Sequence, residues 1–254
     1  MVSVGIDGCK SGWVASSSED PCTLVFKNIK ELTRFYGKDA FYLIDIPIGL
    51  PSFNVTRECE SMARKLLGMP RSASVFNVPC RAAVYSECYA DAQVENRKQL
   101  GKGLSKQTWN IVAKIKEVDE FLVSNPFYKQ IVREAHPELC FYSLNDGFAM
   151  VHSKKSAEGE AERLGVLGIY NSTIQEVFNQ SLSLTKGRQV LRDDIIDSLC
   201  LAVSGTLIQQ KAGWRIPAEV KSDDEGIEMS MVFASGTASP ANRFGAMAAE
   251  VQLN

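Results

Sequence analysis

Val2-Ser3-Val4-Gly5-Ile6-Asp7-Gly8-Cys9-Lys10-Ser11-Gly12-Trp13-Val14-Ala15 is the stretch that decides the fold. Val2, Val4 and Ile6 alternate with Ser3, Gly5 and Asp7, the period of a strand with two unlike faces. Gly8 and Gly12 bracket a tight reversal, and Trp13-Val14-Ala15 predicts the returning strand of a hairpin. An apolar strand so near the beginning of a large chain is expected in the middle of a sheet. Asp7 therefore ends a central strand beside a glycine-rich turn. An ionised carboxylate there is costly unless it is paired, solvated or bound to a metal. Two explanations stand: Asp7 holds a divalent cation, or it accepts hydrogen bonds from backbone amides around Gly8.

Outward from the hairpin, Asp20-Pro21 signals a turn before a third strand at Thr23-Leu24-Val25-Phe26. Lys30 to Tyr36 predicts a helix with Leu32, Phe35 and Tyr36 on its apolar face and Gly37 as its cap. Phe41-Tyr42-Leu43-Ile44-Asp45-Ile46 is a strand apolar on both faces, stopped by Pro47, and such a strand needs helices above and below it. Asp45 repeats the situation of Asp7. The intervening helix is the crossover that lets the two strands run parallel, so both carboxylates are expected at one sheet edge, where ligands bind in open α/β folds.

Residues 52–128 predict a large, mostly helical insertion. Val55, Cys59, Met62, Ala63 and Leu66 have helical spacing, 71–81 is an irregular loop, and Ser86 to Gln99 is a second helix. Trp109, Val112, Ile115, Val118 and Leu122 stripe a third helix in a pattern of packing rather than of a cofactor box. Arg71, Arg81, Lys102, Lys106, Lys114 and Lys116 make the region basic, facing either phosphates or solvent. A strand over 130–136 is expected to end at Pro137, which makes Glu138 a third acid at or just past a strand end, with His136 structural or a neighbour of the site rather than a ligand. Lys154 and Lys155 precede a helix over 158–170, and 182–191 is expected to be a loop. Asp193-Asp194-Ile195-Ile196-Asp197-Ser198-Leu199 then opens a long closing helix on which Asp194 and Asp197 share a face. Capping accounts for Asp193 or Asp194 more readily than for Asp197, which lies deeper among apolar neighbours. One more strand is expected over 227–233, and 234–254 is expected to be a mobile or loosely docked tail.

The 254 residues suffice for one core with a sizeable insertion, and 45% apolar with 23% charged composition is ordinary for a globular chain. A net charge of −2 excludes an overall basic field, so a polyanion must be met by a local patch. No stretch reaches the roughly 18 apolar residues of a membrane span, so a cytoplasmic chain without a membrane partner is expected. Seven cysteines without a Cys-x-x-Cys pair argue against a disulfide framework or a zinc ribbon. With two histidines in the chain, a metal site here would use oxygen ligands, which favours Mg or Mn.

Three antiparallel strands, a helix, two further strands and a closing helix, with acids at these places, resemble the RNase H-like superfamily. Asp194-x-x-Asp197-Ser198-Leu199 is similar to the closing-helix motif of RuvC-type junction resolvases. Closer still is the resemblance to domain-of-unknown-function family 429, the predicted RNase H-like nucleases. It lies in Gly5-Ile6-Asp7-Gly8-Cys9-Lys10-x-Gly12-Trp13, Asp45-Ile46-Pro47-Ile48-Gly49-Leu50-Pro51, and Arg71-x-x-x-Val75-Phe76-x-x-Pro79-x-Arg81. It continues in Gly103-Leu104-Ser105-x-Gln107, Lys114-Ile115-x-Glu117-Val118-Asp119, His136-Pro137-Glu138, Lys154-Lys155 and Asp193-Asp194-x-x-Asp197.

The resemblance implies an RNase H-like α/β domain over 1–233: a mixed sheet flanked by helices, whose acids hold Mg or Mn and hydrolyse phosphodiesters. Asp7 is then the bridging ligand, with Asp45 and Asp197 as partners and Asp194 and Glu138 in support. Lys10, Arg71, Arg81, Lys106 and Lys155 are the candidates for phosphate, the partner is a nucleic acid or nucleotide, and a homodimer is the state that resolvase-like relatives suggest. Two other functions compete. A regulatory module would keep the fold and bind a nucleotide or protein without catalysis. An actin-like phosphotransferase or phosphatase would use Asp7-Gly8-Cys9-Lys10-Ser11-Gly12 at a nucleotide phosphate, although the chain is short for two lobes.

Overall fold

The alternation in the opening stretch becomes β1 (Val2–Cys9), which turns at Gly12 into β2 (Gly12–Ser17) with Asp7 opposite Val14. A computed structural model describes residues 1–210, 213–236 and 247–251. β2 pairs antiparallel with β3 (Leu24–Phe26), and α1 (Ile29–Tyr36) crosses over to β4 (Ala40–Ile44), parallel to β1. β5 (Val132–Glu134) continues the parallel run, followed by β7 (Glu228–Ala234), β6 (Gly213–Ser222) and the short β8 (Ala249–Glu250). The described residues thus form one mixed eight-stranded sheet in the order β3-β2-β1-β4-β5-β7-β6-β8. The α/β architecture with helices on both faces is the one expected, including the three antiparallel strands, crossover helix, two strands and closing helix.

Between β4 and β5 the chain forms α2 (Cys59–Leu67), the single turn α3 (Arg81–Val84), α4 (Tyr89–Leu100) and α5 (Lys106–Ser124). Val4, Ile6, Tyr42 and Ile44 face one core with α1 and α5. Phe41 and Leu43 face the other, built with α6 (Pro137–Leu144), α7 (Ala157–Tyr170), α8 (Ile174–Leu184) and α9 (Arg192–Gln209). The small polar face of β1 explains why α9 can lie directly on the sheet. A Cβ on Gly5 would fall 2.1 Å from the Ser198 carbonyl oxygen, a clash that costs about 1–3 kcal/mol or more when a packed site is overfilled. Ser3 Oγ donates to the Ala202 carbonyl at 2.9 Å, and the Ser16 and Ser198 hydroxyls meet at 2.8 Å. This close approach lays the start of α9 across the carboxyl end of β1.

Several expected boundaries move. The helical spacing at 55–66 yields a helix only from Cys59. The strand expected over 130–136 shortens to Val132–Glu134, because Pro126–Gln130 is a 3-10 turn. Glu138 therefore lies past the strand, in the first turn of α6, since Pro137 starts a helix there as well as following the strand. Residues 182–184, expected in a loop, complete α8. In the expected tail, 237–246 and 252–254 lie outside the described residues, whereas Ala249–Glu250 pairs with Arg215 and Trp214 as an edge strand. Among the described residues no helix is long and apolar enough to cross a membrane.

Candidate acidic site at the sheet edge

The parallel strands β1 and β4 end side by side, which brings Asp7 and Asp45 to one edge, and α9 delivers Asp194 and Asp197 to the same place. Gly8 N donates to Asp7 Oδ1 at 2.7 Å, so the turn explanation holds for one oxygen of that carboxylate. Among the described residues no hydrogen bond or ion pair reaches its other oxygen, and none reaches the Asp45 carboxylate. Burial pushes the Asp7 carboxyl well above its ordinary range, and Asp45, Asp197 and Asp194 push it further. Asp45 is also raised, by burial first. Asp197, 2% exposed, is pushed up to about 7 by burial despite a lysine beside it. Such mutual repulsion of buried carboxylates is tolerable only beside positive charge or bound protons.

The lysine is Lys154, whose Nζ lies 2.7 Å from Asp197 Oδ2 and 3.5 Å from Asp193 Oδ2. Burial alone would depress its pKa, but Asp197, Asp7 and Asp193 outweigh that and raise it. The backbone that carries it is fixed from several sides. Arg71 donates to the carbonyls of Met150, Val151 and His152 at 2.7, 2.9 and 2.8 Å. Glu162 accepts from the amides of Val151 and His152. Gly159 packs so closely beneath that a Cβ would fall 1.9 Å from the Ser153 carbonyl oxygen. The neighbouring Arg163, fully buried, forms an ion pair with Glu138. Glu138 Oε2 and His136 Nδ1 are buried without a hydrogen-bond partner, and both residues act electrostatically on the Asp45 carboxylate.

Asp7, Asp45, Asp194 and His136 line a cavity of about 740 Å³. Its walls are the hairpin turn, the insertion residues around Phe76 and Asn110, and the loop before α9. Lys114 of α5 fastens the insertion to the hairpin: its Nζ donates to the Gly12 carbonyl at 2.5 Å and lies 4.3 Å from the Trp13 ring centre. Glu117 does the same one turn on, accepting from Trp13 Nε1 at 3.0 Å and from the Ile29 amide at 2.6 Å.

The residues expected from sequence are therefore only partly brought together. Asp7, Asp45, Asp194 and Asp197 converge, with Asp194 also capping α9 by accepting from Leu191 N at 2.8 Å. Glu138 lies beside them but is engaged by Arg163. Of the expected phosphate ligands, Lys10 lines the cavity, exposed and without an ion pair among the described residues. Arg71 instead pins the Lys154 loop. Arg81 bridges Asp119 and Asp223, each at 2.5 Å, and so ties α3 to α5 and to the β6–β7 turn. Lys106 lies over the Tyr89 ring, 4.8 Å from its centre, and Lys155 forms no ion pair among the described residues. Lys154, not Lys155, is the residue that meets the acids; the adjacent pair gives no sequence signal to choose between them, because the choice is made by Arg71 and Glu162.

The donors suit a hard divalent cation, since they are all carboxylate oxygens. Their spacing is not yet that of a coordination shell. Among the described residues, Cys59, Glu60 and Glu134 are the one trio whose ligand atoms all lie within 4.8 Å of one another. That trio already holds a cation: Arg57 pairs with Glu60 at 2.6 Å and with Glu134 at 2.8 Å. At the Asp7 cluster, a cation has to take Asp197 from Lys154. All seven cysteines are unpaired, in keeping with the absence of a disulfide framework.

The family model described as Protein of unknown function (DUF429) matches residues 5–222, so the chain belongs to that family. No curated protein and no solved structure matches the chain significantly.

Proposed function

We propose that this member of the family is a metal-dependent phosphodiester hydrolase, a nuclease acting at the Asp7 cluster. One observation carries the proposal: carboxylates from separate chain segments, Asp7 and Asp197 buried and Asp45 and Asp194 half-buried, gather at the carboxyl edge of parallel strands beside a cavity. Structural acids are normally finished with partners, and an unfinished cluster in a cleft marks a functional site. Asp7, Asp45 and Asp197 would hold Mg or Mn, with Asp194 at the margin. Such an ion would supply Lewis-acid polarisation of the phosphate and activation of water. Lys10 at the rim would attract the phosphate, and Lys154, beside Asp197, would balance charge on the non-bridging oxygens. His136 lines the cavity and acts electrostatically on the Asp45 carboxylate.

The test is manganese-dependent cleavage of labelled oligonucleotides by the wild-type protein and by Asp7→Asn. A loss of about three orders of magnitude or more is expected in the variant, with an unchanged circular dichroism spectrum. Full activity in Asp7→Asn removes the acid cluster from the mechanism. The regulatory-module alternative draws on the Lys154–Asp197 ion pair, which neutralises part of the cluster without any metal; it predicts nucleotide binding that Mn does not affect. The actin-like alternative needs two lobes, and a single continuous sheet speaks against it.

A further inference from the structure

The cavity beside the acids is closed on three sides, and its shape and lining bear on what kind of phosphodiester can reach them. Phe76 projects from the insertion at 41% exposure into this space. A large aromatic ring left open in a cleft offers a stacking platform, and every nucleobase has a flat face to place on it. Asn110, on the same wall, is exposed and makes no hydrogen bond among the described residues, so its amide offers both a donor and an acceptor to a base edge. Opposite, Lys10 and Lys27 line the cavity without ion pairs among the described residues. The other arginines expected at phosphates, Arg71 and Arg81, are used up inside the protein.

The volume, about 740 Å³, falls within the roughly 300–1,000 Å³ of small-molecule pockets. A duplex is a stiff rod whose bases are stacked away from such a space; a nucleotide of a duplex enters only after unpairing and flipping out. An unpaired nucleotide enters without that cost. The basic residues that line the cavity are Lys10, Lys27 and Lys114, and Lys114 is already bonded to the Gly12 carbonyl.

We propose that the site takes one unpaired nucleotide unit, a single-stranded end or a short single strand, with its base on Phe76 and its phosphate between Lys10 and the acids. This deepens the hydrolase reading and rests on it. With about two phosphate contacts, binding should depend weakly on salt, with a slope of log K against log salt near −1.4, from about −0.7 per contact on single strands.

Cleavage in Mn is measured on three probes: bis(p-nitrophenyl) phosphate, a single-stranded hexanucleotide, and the same six nucleotides within a hairpin stem. The single strand is expected to be cut at least tenfold faster than the stem. Phe76→Ala should raise KM for the single strand about tenfold, and Phe76→Tyr should restore it. Equal or faster cleavage of the stem, a salt slope steeper than about −4, or an unchanged KM in Phe76→Ala overturns this inference and leaves the hydrolase reading in place. Failure to cleave any of the three, the small diester included, overturns both.

Discussion

Two buried acid clusters flank the end of β4, and they are finished to different degrees. Around Arg57, every charge has a partner. The guanidinium serves Glu60, both oxygens of Glu134 and the Gly49 carbonyl at 2.6 Å, while the Ile48 amide donates to Glu134 at 2.7 Å. Burial would raise both carboxyls; Arg57 pulls Glu60 below its ordinary range, while burial still pushes Glu134 up to about 7. Around Asp7 the carboxyls are raised, Asp45 bonds to nothing among the described residues, and Lys154 is the one cationic side chain paired with Asp193 and Asp197 among the described residues. Both clusters bear a desolvation cost. The first offsets it within the chain and holds the loop after Asp45 in shape; the second leaves the balance to be completed by something that binds.

The contrast breaks most visibly under substitution. Arg57→Met should cost about 3–5 kcal/mol in urea unfolding, because it strands two buried carboxylates. Asp45→Asn should cost less than about 1 kcal/mol or stabilise the metal-free protein, since it removes repulsion and loses no partner. A loss for Asp45→Asn as large as that for Arg57→Met would make the two clusters equivalent. Next in size, Lys154→Met should raise Mn affinity about tenfold by calorimetry, as the ion no longer has to displace an ammonium from Asp197; an unchanged affinity places the ion elsewhere.

The smallest effect is on pH dependence. Asp197 titrates near 7 in the folded protein, against about 3.9 in an unfolded chain. The folded state therefore holds a proton that the unfolded state has released between these values. Stability must fall as pH rises through that window. Thermal unfolding in a chelator should shift upward on acidification from pH 8 to 6, and Asp197→Asn should flatten the change. A wild-type protein that gains stability as pH rises over the same range would contradict the raised carboxyls.

Much of the fold was legible because it is written in short-range patterns. The alternation of Val2 to Asp7, the two-faced apolar run before Asp45 and the four-turn period after Asp193 each specify an element and the acid at its end. The elements that sequence reading missed lack such a period. α6 is buried on nearly all sides, so Pro137-Glu138-Leu139-Cys140-Phe141 shows no polar stripe. β6 contains Pro217, which has no amide to donate, and its pairing with β7 shifts register between Ile216 and Lys221. The basic residues of the site were harder still. Arg71, Arg81 and Lys154 look alike in the chain, and their roles are set by carbonyls and carboxylates 38 to 142 positions away. Charge was visible; its partner was not.

The most direct measurement is calorimetric titration of Mn into the wild-type protein and into Asp7→Asn. Saturable binding to the wild type that disappears in the variant, with both proteins folded, is the result expected. Wild-type protein that takes up no Mn, or a variant that binds it equally well, would contradict the assignment of the unfinished cluster as a cation site.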